Sequence, residues 1–371
     1  MTRFGDLIVG LKMRKTTAFF VIACLFVIFA CPAGVAAAGK NPAPALRALA
    51  AVMSDKAEFF DTDGNKFIYL SDFLKALSAE ESMPGQSAFV ETADFAVVDM
   101  DEDRIPEVTL EICWDIGGRD YEVLRCVKSQ IYGYRIRGMW VKQLKKDGLF
   151  VSQGGAYDYS LGNLRFIGNS WDFNVVFQSK SYPDRSVALY YQDSPVSEQA
   201  FTQRMDAIDH YADWYDLSDA NIAKYIVNLP APMDVKPSLS ATAIAGRQKY
   251  LDGLAYLFTP INNTGKSDAE INAWSVGYYK SWDVELNKIH KLLSKKLSAP
   301  DMEKLRVSEL QWIKNRDQRA SREFANYNKS EYLGAQAVIF QNAALCDVTR
   351  MRTYRLIDLY FGFVRLTDFN P

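Results

Sequence analysis

Apolar residues fall into three textures as the chain is read from its first residue. The first is one unbroken apolar run, Ala18 to Phe29, preceded by Arg14 and Lys15 and followed by Pro32, Gly34 and Ala36-Ala37-Ala38. A basic start, a short apolar centre and an A-x-A tail are the parts of an export leader, so residues 1–38 are predicted to be a signal peptide that leaves Gly39 as the mature start. Met13 offers an alternative start, because residues 1–12 add nothing that such a leader needs. The run is shorter than the ~20 residues of a membrane helix, and no later segment is long and apolar enough to span. Lipid anchoring competes with a periplasmic or secreted mature chain, but Val21-Ile22-Ala23-Cys24, lipobox-like in residue type, leaves almost no apolar run before it, and the better-placed Ile28-Phe29-Ala30-Cys31 carries an ill-fitting Phe29.

The second texture covers residues 39–228. Residues 45–59 and then Phe67 to Leu77 read as helices. From Phe95 onward, short β-rich runs follow one another: Phe95–Val98, Val108–Cys113, Tyr121–Cys126, Gln130–Arg135, Leu164–Ile167, Phe173–Phe177 and Ser186–Tyr191. Gly117-Gly118, Gly154-Gly155 and Asp184 mark turns between them. Ser197 to Tyr211 and Asp219 to Val227 return to a helical period. The expectation is an α+β domain built on an antiparallel meander with helices at its ends.

The proline-containing stretch 229–240, Leu229-Pro230-Ala231-Pro232 through Pro237, reads as a semi-rigid linker. Beyond it residues 241–371 carry the third texture, an all-helical bundle. Tyr279, Trp282, Leu286, Ile289 and Leu293 recur at steps of three and four, which makes one apolar stripe. Ser298-Ala-Pro300-Asp301 then ends one helix and starts the next, with proline in the first turn and a capping acid three residues after the serine. Leu305, Glu309, Trp312 and Arg316 share a face of that helix, and Asn342, Leu345, Thr349, Arg352, Leu356 and Leu359 share a face of the last one. A charge on a packing face has to be paired, since an unpaired buried charge costs several kcal/mol. Arg316 and Arg352 are therefore expected to pair with Glu285, Glu309 and Asp317 in a network that ties the helices together.

Composition narrows the function classes. A net charge of −2 supplies no overall basic field for nucleic acid. The apolar share of 49% and charged share of 24% are those of a globular chain. After the leader Cys113, Cys126 and Cys346 remain. Cys113 and Cys126 flank an expected hairpin and could pair, which would leave Cys346 buried or free. The two histidines, His210 and His290, fit no metalloprotease or triad signature, and no G-x-S-x-G elbow occurs. His210 stands among Asp206, Asp209, Asp213 and Asp216, which read as a solvated helix end. Thr264-Gly265-Lys266-Ser267 lacks the glycine that a phosphate loop needs five residues earlier.

The helical third resembles a known family. Trp282-Asp283-Val-Glu285-Leu286-Asn287, Leu305-Arg306, Trp312-Ile313-x-x-Arg316-Asp317, Thr349-x-x-Arg352 and Leu356 look like the core pattern of the LprI-type lysozyme-inhibitor family over about residues 272–360. The resemblance implies an exported helical domain and a protein partner, lysozyme or another envelope protein. Departures are visible. Glu309 stands where the family has glutamine and Asn315 where it has tyrosine. The family's usual disulfide positions fall at Ala320 and at or near Ala344, with Cys346 displaced, so the resemblance implies that this disulfide is absent. Glu285, Glu309, Trp312, Arg316, Asp317, Thr349 and Arg352 are the candidate structural or protein-contacting network.

Two acidic loops lie in the first domain. Asp99, Asp101, Asp103 and Glu107 occupy positions 1, 3, 5 and 9 of a D-x-D-x-D loop that could wrap Ca²⁺ in oxygens. Arg104, where glycine is wanted, favours instead an acidic turn held by that arginine. Asp61-Thr-Asp63-Gly-Asn65-Lys66 through Asp72 resembles an EF-hand loop between helices, with Lys66 at the glycine position. The expectation is an exported envelope binding protein, not an enzyme, with lysozyme inhibition as its sharpest form. Acidic loops would suit a basic lysozyme. The alternatives are a calcium-binding structural or adhesion module and a cell-wall-processing enzyme.

Overall fold

The computed structural model describes residues 42–81, 90–114, 119–137, 143–153, 158–182, 186–192, 194–208, 210–229, 239–258, 266–328 and 336–369. The leader, the turn glycines at 117–118 and 154–155, Asp184 and prolines 230, 232 and 237 of the expected linker lie outside these residues. The described residues form one compact unit.

The chain opens with α1 (Ala43–Met53), β1 (Phe59–Asp61), β2 (Lys66–Ile68) and α2 (Leu70–Glu81). Strands follow: β3 (Val90–Val98), β4 (Glu107–Trp114), β5 (Arg119–Val127), β6 (Gln130–Arg137), β7 (Gln143–Leu144), β8 (Leu149–Gln153), β9 (Tyr159–Ile167), β10 (Ser170–Ser181), β11 (Val187–Tyr191) and β12 (Ser194–Pro195). Next come α3 (Glu198–Asp206), β13 (Tyr215–Asp216) and α4 (Asp219–Ile222), and then the helices α5 (Ala241–Asp252), α6 (Asp268–Lys296), α7 (Ala299–Asn328) and α8 (Ala337–Phe361).

Two sheets result. The seven-stranded one runs β13-β3-β4-β5-β6-β1-β2 and the six-stranded one runs β12-β11-β10-β9-β8-β7. Among the described residues all pairings are antiparallel except β1 with β6. Strand alternation fixes what each face meets. Tyr121, Val123, Tyr134 and Ile136 of one sheet share a core with Phe150, Leu164 and Phe166 of the other. The opposite face of the first sheet, with Val108, Leu110 and Ile112, lies under α1 and α2. The outer face of the second sheet presents Leu161 to the cluster that takes in Phe201 and Met205 of α3, and Ile167 to the helical core around Trp282. The mixed α+β class with a helical C-terminal layer therefore holds.

Three local expectations need correction. Residues 45–59 are not one helix: α1 ends at Met53, Asp55 takes a left-handed φ of 56°, and Phe59 joins β1. Phe67 is in β2, so helix α2 begins three residues after it at Leu70, and the Asp61–Lys66 segment is a hairpin tip, not a loop between helices. Cys113 and Cys126 do not pair; all three described cysteines are free. In the β4–β5 ladder Cys113 opposes Arg119, seven residues from Cys126, so the two thiols sit at opposite ends of the hairpin, on the order of 20 Å apart.

Candidate functional site

The C-terminal helices are built around α8, which lies between α6 and α7 and the strands. Fourteen of its residues are buried, including Thr349, Arg352, Thr353 and Asp358. A helix buried on every side must find a partner for each polar group. Arg352 turns to α7: its guanidinium donates to Glu309 Oε1 at 2.7 and 2.9 Å and to Ser308 Oγ at 2.8 Å. Trp312 and Phe369 flank that guanidinium, with ring centroids at 5.7 and 4.7 Å.

The other members of the expected network separate. Glu285 is buried but bonds Lys288 of its own helix at 2.5 Å and the Tyr256 hydroxyl at 2.5 Å. Arg316 pairs with the adjacent Asp317 at 2.8 Å, and Asp317 is exposed, so this pair ties no two helices. Arg316 does lie beside Trp312 and Tyr279, at 5.1 and 5.9 Å from their centroids. Thr349 is fully buried, and its hydroxyl has no partner among the described residues. The structure thus brings together Glu309, Trp312 and Arg352, with Arg316 against the same tryptophan, and leaves Glu285 in a separate pair.

A second row on α8, Arg350, Tyr354 and Asp358 at steps of four, faces the six-stranded sheet. Arg350 bonds Asp172 at 2.6 Å and the Tyr354 hydroxyl donates to the same carboxylate at 2.8 Å. Asp358 receives two arginines: Arg165 of β9 at 2.5 and 3.2 Å, and Arg247 of α5 at 2.7 Å. Burial pushes the Asp358 carboxyl up, while Arg165 opposes that rise. Sequence reasoning missed this row. Its signal was present as three polar residues four apart on one helix, but Asp172 and Arg165 lie far upstream and nothing local marks them.

The acidic loop after β3 folds inward on a guanidinium that the sequence reading did not assign. Asp99, Asp101 and Glu107 bring carboxylate oxygens within 4.8 Å of one another. Arg125 of β5 enters among them, at 2.5 Å from Asp101, 3.6 Å from Asp103 and 3.5 Å from Glu107. Arg104 does not hold the acids through its side chain. Its backbone N–H donates to Asp99 at a φ of 72°, and its guanidinium leaves for the Leu239 carbonyl. Burial, and then the charge of Asp101, pushes the Asp99 carboxyl up to about 6. The same causes raise Asp103 and Glu107 well above the ordinary range. Burial pulls the Arg125 guanidinium down, but Asp101, Asp103 and Glu107 outweigh it. The Arg125 guanidinium stands as a fixed positive charge beside these oxygens and would repel a dication placed there. Asp101 and Glu107 are buried, so these carboxylates do not present a charged surface to a basic partner.

The hairpin tip has its own buried acid. Glu122 of β5 is fully buried, and neither of its oxygens has a partner among the described residues. It lies over Gly133, where a Cβ would stand 2.2 Å from its Oε1. Burial, followed by the charges of Asp61 and Asp63, raises its carboxyl well above the ordinary value.

The long α7 helix has an outward face of different character. Val307, Leu310 and Ile313 are 56%, 54% and 38% exposed, opposite the buried Leu305, Glu309 and Trp312. No curated protein and no solved structure matches the chain. Residues 261–356, a window that begins about eleven residues earlier than the motif spacing indicated and takes in α6, α7 and most of α8, match the family model described as Lysozyme inhibitor LprI.

Proposed function

We propose that the chain is an exported envelope protein that binds and inhibits a lysozyme through its helical layer. The observation that carries this reading is the family match over α6, α7 and α8. The leader pattern at residues 1–38 supports a place outside the cytoplasm, where such a partner would be met. The exposed side of α7 is the surface assigned to the contact. Val307, Leu310 and Ile313 follow one another at steps of three along a helix held rigid from behind by the Arg352–Glu309 pair. Apolar side chains displayed together on a rigid helix are the kind of anchor that fills an enzyme cleft. The inward-turned acidic loop takes no part. A protein-binding role fits a helical layer whose buried acids are paired: Glu309 with Arg352, Asp358 with Arg165 and Arg247, Glu285 with Lys288 and Glu323 with Lys180.

The test is a lysis assay. The purified chain without residues 1–38 is added to a c-type lysozyme acting on a cell-wall suspension. The expected result is a rate that falls as the protein approaches equimolar amounts. An unchanged rate at roughly tenfold excess overturns the inhibitory reading.

A further inference from the structure

Where α3, the outer face of β9 and β10, α5 and α8 come together they leave a cavity of about 490 Å³. That volume is in the range of small-molecule sites. It lies apart from the α7 stripe, so it stands or falls independently of the lysozyme reading.

Its floor carries surplus positive charge. Arg165 and Arg247 both line it and share the single carboxylate of Asp358. Both arginines are nearly buried, at 6% and 5% exposure, and Arg165 Nε has no hydrogen-bond partner among the described residues. Asp101 also lines the cavity, but its carboxylate is paired with Arg125, and Arg247 reaches only its backbone carbonyl. The remaining acids of the lining, Glu102 and Asp147, are less buried than the floor and are correspondingly screened. Two guanidinia facing one carboxylate in a low-dielectric floor favour a second anion, and guanidinium matches a carboxylate in two-point geometry.

The walls narrow the ligand class further. Asn163 and Asn174 point to the same face from paired positions of β9 and β10 and bond each other at 2.9 Å. Each amide offers one donor group and one acceptor, so the mutual bond leaves a further donor and a further acceptor for hydroxyl groups. Tyr191 and Phe177, in contact at 4.8 Å between centroids, give an aromatic wall. We infer that this cavity binds a small hydroxylated carboxylate of the acidic-sugar class. Its carboxylate would meet Arg165 and Arg247, its hydroxyls the asparagine pair, and its ring the aromatic wall.

The experiment is calorimetric titration of the chain without residues 1–38 with glucuronate, glucose, acetate and inorganic phosphate. Glucuronate is expected to bind with a Kd below about 1 mM and at least about tenfold more tightly than the other three. Asn174→Ala, a change confined to the cavity wall, is expected to weaken glucuronate by about tenfold without moving Tm. Arg247→Gln, which removes the surplus cation and leaves Asp358 paired with Arg165, is expected to abolish binding in a chain that still melts cooperatively. Absence of glucuronate binding at about 10 mM overturns the inference. So does glucose, acetate or phosphate binding as tightly as glucuronate, or an Asn174→Ala variant with unchanged affinity.

Discussion

Replacing Arg352 by leucine tests the clamp between α7 and α8. The guanidinium is 3% exposed, and its partner carboxylate on Glu309 is 11% exposed. Both bonds to Glu309 come from this one arginine, through Nε and an Nη, so its loss strands a buried negative charge. Removing one partner of a buried pair costs about 3–5 kcal/mol, on the order of a hundredfold or more in the folded-to-unfolded ratio. Part of that cost is packing, because the guanidinium also fills space against Trp312 and Phe369. Removing both charges is different, since an apolar pair of similar volume avoids the desolvation of two ions. Arg352→Leu with Glu309→Leu should therefore recover most of the loss, to within about 1–2 kcal/mol of the parent chain. Urea titration followed by tryptophan fluorescence measures each variant, with the slope checked for constancy. A single variant within about 1 kcal/mol of the parent, or a double variant no more stable than the single one, would refute the reasoning.

Thr349→Val exchanges a buried, unpartnered hydroxyl for a methyl and should be neutral or raise stability by up to about 1 kcal/mol, read from the urea midpoint. Glu122 has a carboxyl raised by burial and by Asp61 and Asp63. The unfolded chain therefore releases this proton at a lower pH than the folded chain does, and the group subtracts stability as pH rises above its ordinary value of 4.5. Glu122→Gln should raise Tm at pH 7 and leave it nearly unchanged near pH 4, and an equal effect at both would contradict the assignment. Asp99 behaves in the same sense, its contribution lost between about 4 and about 6. Asp99→Asn should flatten the stability profile across that window. Because the Arg125 guanidinium already stands among these acids, millimolar Ca²⁺ should move Tm by less than about 1 °C, whereas a large rise would support the calcium-binding reading.

How much of this was legible depends on the range over which each interaction acts. The β-rich runs from Phe95 to Tyr191 and the helical stripe from Tyr279 to Leu293 are local periodicities, and each run reappears in an observed element, the last β run starting one residue late at Val187. Ser298 caps α7 by accepting from Asp301 N–H, as the serine–acid spacing indicated, and Ser267 does the same for α6 with Glu270. Failures arose where a partner from elsewhere overrode local propensity. Phe59 and Phe67 have helical neighbours, but pairing with β6 and with each other's strand draws them into a sheet. In the helical layer, Glu309 and Arg352 were both read as packing-face charges, and the structure pairs them. Glu285 shares that character yet meets Lys288 three residues on in its own helix, together with the Tyr256 hydroxyl. Arg125 sits in an alternating strand and is indistinguishable there from a solvent-facing residue. The return of the acidic loop over β5, with Phe166 of β9 and Gln248 of α5, buries it. Arg165 and Asp172 are alike in this respect: polar residues on the outer face of a sheet look solvated until a helical layer covers them.

The most direct measurement is the affinity of the purified chain for immobilised c-type lysozyme, taken alongside its Leu310→Asp variant. The account predicts a Kd below about 1 μM for the parent chain and a loss of about thirtyfold or more for the variant, with Tm unchanged because Leu310 is 54% exposed. Absence of binding at about 100 μM, or equal binding by the two proteins, would contradict it.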